Sequence, residues 1–142
     1  MPVRTAEAVW QGNLREGQGR MKLGSGAFEG RYTWSSRFEE AQGTNPEELI
    51  AAAHAGCFTM AMASQLTKAG FPPEQIQTSA RVHLDKVDGA NKITTVELDT
   101  EARVPTVDEA HFLELADTAK RTCPVSQALA GVEIKLQARL SG

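Results

Sequence analysis

The sequence has few residues that break secondary structure, with only six prolines among 142 residues, and it contains no internal repeat, linker or low-complexity stretch. Apolar side chains make up 41% of the chain and charged side chains 23%, the balance of an ordinary globular protein. This composition excludes a disordered or collagen-like chain. We therefore expect a single domain that covers residues 1–142.

An excess of positive charge is also absent. The 15 basic and 18 acidic side chains give a net charge of -3, and the two signs are interspersed along the chain. A nucleic-acid-binding surface needs clustered Lys and Arg to neutralise phosphates. The sequence thus argues against nucleic acid as a partner.

The chain lacks a secretory leader pattern, because residues 1–13 contain neither a basic start nor an apolar run. We therefore expect a cytoplasmic protein. Residues 49–67 carry no charged side chain and approach the ~20 residues that span a bilayer. Seven of them are Ala or Gly, however, and His54, Thr59 and Ser64 interrupt the apolar surface. We expect a helix buried in protein, with no membrane partner.

Alternating polar and apolar residues predict three strands at 3–11, 19–23 and 27–38, joined by glycine-rich turns. A helix of ~24 residues follows, with Asn45 as its cap, Pro46 in its first position and Gly70 at its end. Further strand-like segments are residues 76–84, 96–104 and 132–140. Thr106 is expected to cap a second helix. A short third helix is predicted at 124–131.

The order βββαββααβ indicates an α+β fold with antiparallel sheets. The long helix is apolar on every side, so one thin sheet cannot cover it. A second subunit would cover the remaining surface, and we expect an obligate homodimer.

Cys57 and Cys123 are the first candidates for chemistry. In a reducing cytoplasm a disulfide is more often transient and catalytic than structural, although free cysteine is commonly a small buried hydrophobe. Cys57 lies among apolar residues of the long helix, which raise the pKa of its thiol unless a cation is supplied. Cys123 directly precedes Pro124 at a predicted helix start, where free N–H groups favour a thiolate.

His54 leaves a metal site open as an alternative, since it lies one turn before Cys57 and could bind zinc together with Cys123. Paired Cys-x-x-Cys or His-x-x-x-His spacing is missing, and a histidine held by a backbone or interface hydrogen bond is favoured. A non-catalytic stress protein with inert thiols is a further alternative. The sequence has no Gly-x-Ser-x-Gly elbow, P-loop or dinucleotide-binding glycine motif.

Two cysteine-containing motifs resemble the OsmC (osmotically inducible protein C) family, which includes the organic hydroperoxide resistance proteins. The motifs are GTNPEELIAAAHAGCF at residues 43–58 and TCPVSQ at 122–127, accompanied by SRFE at 36–39 and LDKV at 84–87. The resemblance runs essentially from end to end. His54 and Val125 are typical of the OsmC branch, whereas organic hydroperoxide resistance proteins usually carry tyrosine at both positions. This difference leaves the preferred substrate open.

The resemblance implies a thiol-dependent peroxidase that needs no metal or organic cofactor. Cys57 matches the cysteine that attacks an organic hydroperoxide, and Cys123 matches the resolving cysteine that forms a disulfide with it. Arg37 matches the activating arginine and Glu47 its carboxylate partner. The disulfide would be reduced by a dithiol such as a lipoylated protein. An apolar pocket for the organic part of the substrate is expected from Phe58, Met60, Val125 and Leu129.

The resemblance also implies an intertwined homodimer in which sheets of both subunits wrap around long central helices, with two active sites at the interface. Residue spacing adds an inference about this dimer. Glu47 and Cys57 are ten residues apart, so on one straight helix they are separated by ~15 Å. Two antiparallel copies of the helix would bring Glu47 of one chain towards Cys57 of the other, and the small residues at 51–53 and 56 would permit close contact.

Overall fold

Three short strands at the start of the chain form an antiparallel sheet in the computed structural model, which describes residues 1–141. They are β1 (Ala6–Gln11), β2 (Gln18–Leu23) and β3 (Glu29–Tyr32), in that order across the sheet. Gly19 in the central strand pairs with both Trp10 and Tyr32, whose ring centroids are 5.4 Å apart. The missing side chain at Gly19 lets the two aromatic rings pack over β2.

A five-residue helix, α1 (Trp34–Phe38), follows β3, so the strand predicted at 27–38 is confirmed for residues 29–32 and wrong for residues 34–38. The Oγ1 of Thr33 accepts the N–H of Ser36 at 3.0 Å, and the Oγ of Ser36 accepts the N–H of Thr33 at 2.8 Å. This capping box satisfies backbone donors at the helix start and turns the chain out of the extended conformation. Arg37 therefore lies in the last turn of a helix and not on a strand.

The long helix α2 (Pro46–Lys68) begins as the sequence predicts. Asn45 Oδ1 accepts the N–H of Glu48 at 2.7 Å, and Gly70 follows the helix with a φ of 91°. One face of α2 is buried at every fourth position. The buried residues of this face are His54, Phe58, Met62 and Leu66.

The opposite face of α2 is exposed and consists mostly of small residues. Ala52, Ala53 and Gly56 are exposed, and Met60 is 77% exposed. A Cβ added to Gly56 would meet no atom within 4 Å. By length and composition alone α2 could cross a membrane, but its buried face packs into a hydrophobic core.

The strands of the second sheet are β4 (Gln75–Val87), β5 (Ala90–Arg103) and β6 (Glu133–Leu140). β4 and β5 form an antiparallel hairpin whose turn residues Asp88 and Gly89 have φ values of 52° and 80°, as a two-residue type I′ turn requires. β6 pairs with β5 in parallel, so the expectation of antiparallel sheets is wrong for this pair. The helices α3 (Glu109–Thr122) and α4 (Pro124–Ala128) form the crossover that parallel pairing needs.

The start of α3 also differs from the prediction, because Asp108 and not Thr106 caps the helix. Asp108 Oδ1 accepts the N–H of His111 at 2.9 Å, whereas Thr106 adopts a φ of 70° in the preceding turn. Thr100 of β5 is buried. The buried apolar residues on the same side are Val96, Leu98, Ala102 and, directly after the strand, Val104. They form one core with the buried faces of α2 and α3.

The chain separates into two compact units, residues 1–49 and residue 50 onward. The first unit contains β1 to β3, α1 and the first turn of α2. The second unit contains the rest of α2, β4 to β6, α3 and α4. The expectation of one domain for residues 1–142 stays a prediction.

Gly19→Ala is expected to destabilise the first sheet, since an added Cβ would come within 2.6 Å of the rings of Trp10 and Tyr32. We expect the free energy of unfolding to fall by ~1–3 kcal/mol, measured by urea denaturation followed by circular dichroism. Gly131→Ala is the matched control, because its Cβ would meet nothing within 4 Å. The control should change stability by less than ~0.5 kcal/mol. An unchanged midpoint for Gly19→Ala would contradict the aromatic packing over β2.

Candidate active site

The two cysteines meet in the second unit. Cys57 lies on α2, and Cys123 lies at the junction of α3 and α4, where its φ and ψ of -56° and 125° break the helical path. Such extended geometry is expected for a residue that precedes a proline, here Pro124. The two sulfur atoms are 2.8 Å apart and both thiols are free, since a disulfide bond measures only ~2.05 Å. Two cysteines separated by 66 residues are thus within contact distance.

The two thiols differ in accessibility and surroundings. Cys123 is fully buried, whereas Cys57 is half-buried and remains reachable from solvent. Burial raises the pKa of the Cys57 thiol above its ordinary value, and the contact with Cys123 raises it further. The backbone amide of Val125, in the first turn of α4, acts in the opposite direction. The predicted effect of apolar surroundings on Cys57 is therefore confirmed.

The pKa of Cys57 is thus shifted by burial, by Cys123 and by the Val125 amide. None of these influences is a positively charged side chain. Because burial disfavours the charged form of a thiol, a positive charge close to Cys57 would favour its thiolate. The sequence predicts that a helix starts directly after Cys123, and Cys123 is the N-cap residue of α4. Its side chain makes no capping hydrogen bond, however, and the α4 amide of Val125 acts on Cys57 instead.

A second side-chain pair lies next to the cysteines. His54 Nε2 is 2.7 Å from Ser126 Oγ, and both residues are buried, His54 completely. His54 precedes Cys57 by three residues and Ser126 follows Cys123 by three, so the two pairs lie side by side. Burial lowers the pKa of His54 below its ordinary value, which keeps the imidazole neutral.

Ser126 is the residue of this site for which no role is predicted from the sequence. Among residues 1–141 His54 bonds a side-chain hydroxyl and no backbone group, so the favoured backbone partner is wrong, while an interface partner stays a prediction. The matching three-residue offsets from Cys57 and Cys123 are the signal that could have identified Ser126. His54 Nδ1 is buried and has no hydrogen-bond partner among residues 1–141.

The zinc alternative is not supported by this geometry. Across residues 1–141, no group of three His, Cys, Asp or Glu side chains is arranged to hold a metal ion. The Nε2 of His54 is bonded to Ser126. His54, Cys57 and Cys123 therefore do not form the ligand set that the spacing left open.

Arg37 and Glu47 meet in the first unit. Arg37 Nε donates to Glu47 Oε1 at 3.1 Å and Arg37 Nη2 donates to Oε2 at 2.9 Å, which is a bidentate fork between the two residues that the family resemblance pairs. Glu47 is 8% exposed, whereas the Arg37 side chain is 36% exposed. Ser36 joins α1 to the residues that precede α2. Its Oγ donates to the carbonyl of Thr44 at 2.8 Å, and its carbonyl accepts a hydrogen bond from Asn45 Nδ2 at 3.1 Å. The catalytic roles of both charged residues stay predictions.

The predicted apolar pocket is wrong in one respect. Phe58 is fully buried in the core, whereas Met60 is 77% exposed. Two residues apart on a helix correspond to about 200° of rotation, so these side chains point to opposite sides of α2. Val125 and Leu129 are half-buried against the core that contains Phe58.

Comparison with known proteins places this geometry in a family. Residues 39–137 match the OsmC family, described as OsmC-like protein. The chain is 45% identical over 127 residues to peroxiredoxin OsmC of Escherichia coli (strain K12), a match that covers 89% of each chain. It is 31% identical over 106 residues to organic hydroperoxide resistance protein OhrB of Bacillus subtilis (strain 168), covering 72% of this chain and 75% of the relative.

Solved structures have the same fold. The organic hydroperoxide resistance protein OsmC of Legionella pneumophila matches with a TM-score of 0.73 and 21% identity over 100% of both chains. The family match and the relatives confirm the resemblance stated for the two cysteine motifs, and the solved structure confirms the fold. With a family match over residues 39–137 and 45% identity to a curated member, this chain belongs to the OsmC family.

Proposed function

We propose that this chain is a thiol peroxidase that reduces organic hydroperoxides to alcohols, with Cys57 as the attacking residue and Cys123 as the resolving residue. The observation that carries the proposal is the pair of free sulfurs 2.8 Å apart, of which only Cys57 is accessible. An oxidant arriving from solvent would meet Cys57 first. The relatives support the substrate class, since they are named peroxiredoxin OsmC and organic hydroperoxide resistance protein OhrB.

The reaction then proceeds in two steps at sulfur. The Cys57 thiolate attacks the distal oxygen of R–O–O–H, the O–O bond breaks, and the leaving alkoxide takes a proton to become the alcohol. Cys57 is left as a sulfenic acid, Cys–S–OH. The Cys123 sulfur attacks the Cys57 sulfur, an S–S bond forms, and the hydroxyl group leaves with the Cys123 proton as water.

A reductant must return the disulfide to two thiols. Thiol–disulfide exchange with a dithiol does this through a mixed disulfide, and the oxidised dithiol leaves as a cyclic disulfide. We propose a lipoylated protein as this donor and the cytoplasm, where thiols are kept reduced, as the location. One cycle therefore consumes a hydroperoxide and a dithiol and releases an alcohol, water and a cyclic disulfide.

The cation for Cys57 is proposed to be Arg37. Its guanidinium is always charged and can both stabilise the thiolate and donate a hydrogen bond to a peroxide oxygen. Glu47 holds the Arg37 fork through two hydrogen bonds. Ten residues of α2 separate Glu47 from Cys57, equivalent to ~15 Å of axial rise.

We propose that a second copy of the chain closes this gap in an intertwined homodimer, with two active sites built from both subunits. The exposed face of α2 supports the proposal, because it combines Ala52, Ala53 and Gly56 with the 77% exposed Met60. Small residues let two helix backbones approach closely, and an exposed large apolar side chain gains from burial. Antiparallel packing of two α2 helices would bring Arg37 and Glu47 of one chain towards Cys57 of the other.

Exposure of reduced protein to one equivalent of cumene hydroperoxide is expected to remove both thiols and to lower the intact mass by two hydrogens. Cys57→Ser should abolish the loss of the remaining thiol. Cys123→Ser should leave a sulfenic acid at Cys57 that dimedone traps. Thiol titration and mass spectrometry measure all three outcomes. Two persistent thiols in the wild type would contradict the peroxidase proposal and favour a non-catalytic stress protein.

Arg37→Met is expected to slow the reaction with cumene hydroperoxide by roughly 100-fold, because the variant removes the charge that stabilises the thiolate. Burial raises the pKa of Cys57, so alkylation of this thiol by iodoacetamide should shift to higher pH in Arg37→Met than in the wild type. Arg121→Met is the matched control, since Arg121 forms an exposed ion pair with Asp117 on α3. Equal pH profiles for wild type and Arg37→Met would exclude Arg37 as the cation.

Gly56→Leu is expected to convert the dimer to monomer and to abolish peroxidase activity, because a large side chain would separate two packed helices. In a single chain the same substitution would meet open space, since no atom lies within 4 Å of an added Cβ. Sedimentation equilibrium gives the mass, and the peroxide assay gives the activity. In a protein that functions as a monomer, Gly56→Leu would stay active, and Gly56→Ala would stabilise the helix by ~0.5–1 kcal/mol.

A further inference from the structure

The hydrogen bond between His54 and Ser126 is the buried polar contact that the proposed reaction does not use. Both residues are buried, and the Nε2 to Oγ distance is 2.7 Å. Such a pair contributes little net stability, because each group gives up hydrogen bonds to water, and the Nδ1 of His54 gains no partner among residues 1–141. Stability alone therefore explains the pair poorly.

The His54–Ser126 pair lies where it can hold two segments of the chain together. His54 and Cys57 lie on the same side of α2, and Ser126 and Cys123 lie at the start of α4. Across residues 1–141, the His54 to Ser126 bond and the thiol contact are the side-chain hydrogen bonds that join α2 to the segment from Cys123 to Ala128. The His54–Ser126 bond can therefore influence the distance between the Cys57 and Cys123 sulfurs.

The neighbourhood of Cys123 leaves room for such control. Cys123 has non-helical backbone angles and separates two helices, and α4 has only five residues. Its own backbone anchors are the bond from its N–H to Ala119 and the bond from the Gln127 N–H to its carbonyl. Neither of these bonds reaches α2, so neither fixes the distance between the two sulfurs.

We propose that the His54–Ser126 hydrogen bond is a positioning element that holds Cys123 against Cys57 and thereby promotes disulfide closure, without acting in the attack on peroxide. This inference rests on the proposed function for its second step, in which the Cys57 sulfenic acid and the Cys123 thiol become a disulfide and water. The neutral, buried imidazole does not serve as the activating cation. Its effect is on the effective concentration of one thiol at the other.

Thiol–disulfide equilibrium in glutathione buffers tests the positioning role without any peroxide. Ser126→Ala is expected to lower the equilibrium constant for disulfide formation about tenfold, which corresponds to about 30 mV. His54→Leu should have the same effect. His54→Gln should restore the constant to within about twofold, since its amide nitrogen can occupy the place of Nε2 and still bond Ser126. Ser79→Ala, at an exposed position of β4, is the control and should match the wild type.

Peroxide kinetics test the step that is affected. In Ser126→Ala, the loss of the first thiol to cumene hydroperoxide should stay within about twofold of the wild-type rate, while disulfide closure slows about tenfold. Dimedone should then trap more sulfenic acid at Cys57. Unchanged equilibrium and closure rates in Ser126→Ala and His54→Gln, with only a lower melting temperature, would overturn the inference and leave the pair a structural contact.

The two proposals fail in distinguishable ways. If wild-type Cys57 does not react with cumene hydroperoxide, the peroxidase proposal fails, and the glutathione equilibrium still decides whether the pair positions the thiols. If the wild type forms its disulfide normally and Ser126→Ala closes at the same rate, the positioning role fails alone. If His54→Leu does not fold, the positioning role is tested with Ser126→Ala and His54→Gln alone.

Discussion

Contact between the Cys57 and Cys123 sulfurs requires α2 to lie against the junction of α3 and α4, and much of the second unit fixes that arrangement. The buried face of α2 packs in one core with β5 and α3. Pro124 separates α3 from α4 and holds Cys123 in an extended conformation, which points its side chain away from a regular helical path. The sulfur contact of 2.8 Å is therefore a property of packing across elements and not of either helix alone.

Burial of the pair has opposite consequences for closure and for attack. Close packing would favour a resolving step between two sulfurs that already touch. The same burial raises the pKa of Cys57 and so disfavours the thiolate that reacts with an oxidant. A single amide, that of Val125, offsets part of this effect within the unit. The sulfur contact would thus favour the second step of the proposed reaction, whereas the raised pKa of Cys57 would disfavour the first.

Sequence reasoning succeeded where the signal is local. Asn45 caps α2 and Gly70 follows its end as the residues themselves predict, whereas the Arg37–Glu47 pairing came from the family resemblance. These features depend on side-chain chemistry within a few residues, or on a motif that carries its own geometry. The meeting of the two cysteines came from the family resemblance, since nothing in the spacing of 66 residues indicates it.

The wrong predictions have a common physical cause. The alternating pattern through residues 33–38 cannot reveal that Thr33 and Ser36 cap each other, because the same residues also suit a strand. The direction in which β6 pairs with β5 is decided by the crossover, and period-two alternation is the same for parallel and antiparallel strands. Ser126 escaped notice because its partner is 72 residues away.

Parallel pairing of β5 with β6 also orders the assembly of the site in time. The segment between these strands contains α3, Cys123 and α4, so it is anchored at one end by β5 and at the other by the last strand of the fold. During synthesis from the N-terminus, β4 and β5 can form their hairpin early, because that contact is local in the chain. The anchoring at β6 becomes available only after β6 itself has emerged. A growing polypeptide therefore carries Cys57 well before it can hold Cys123 beside it.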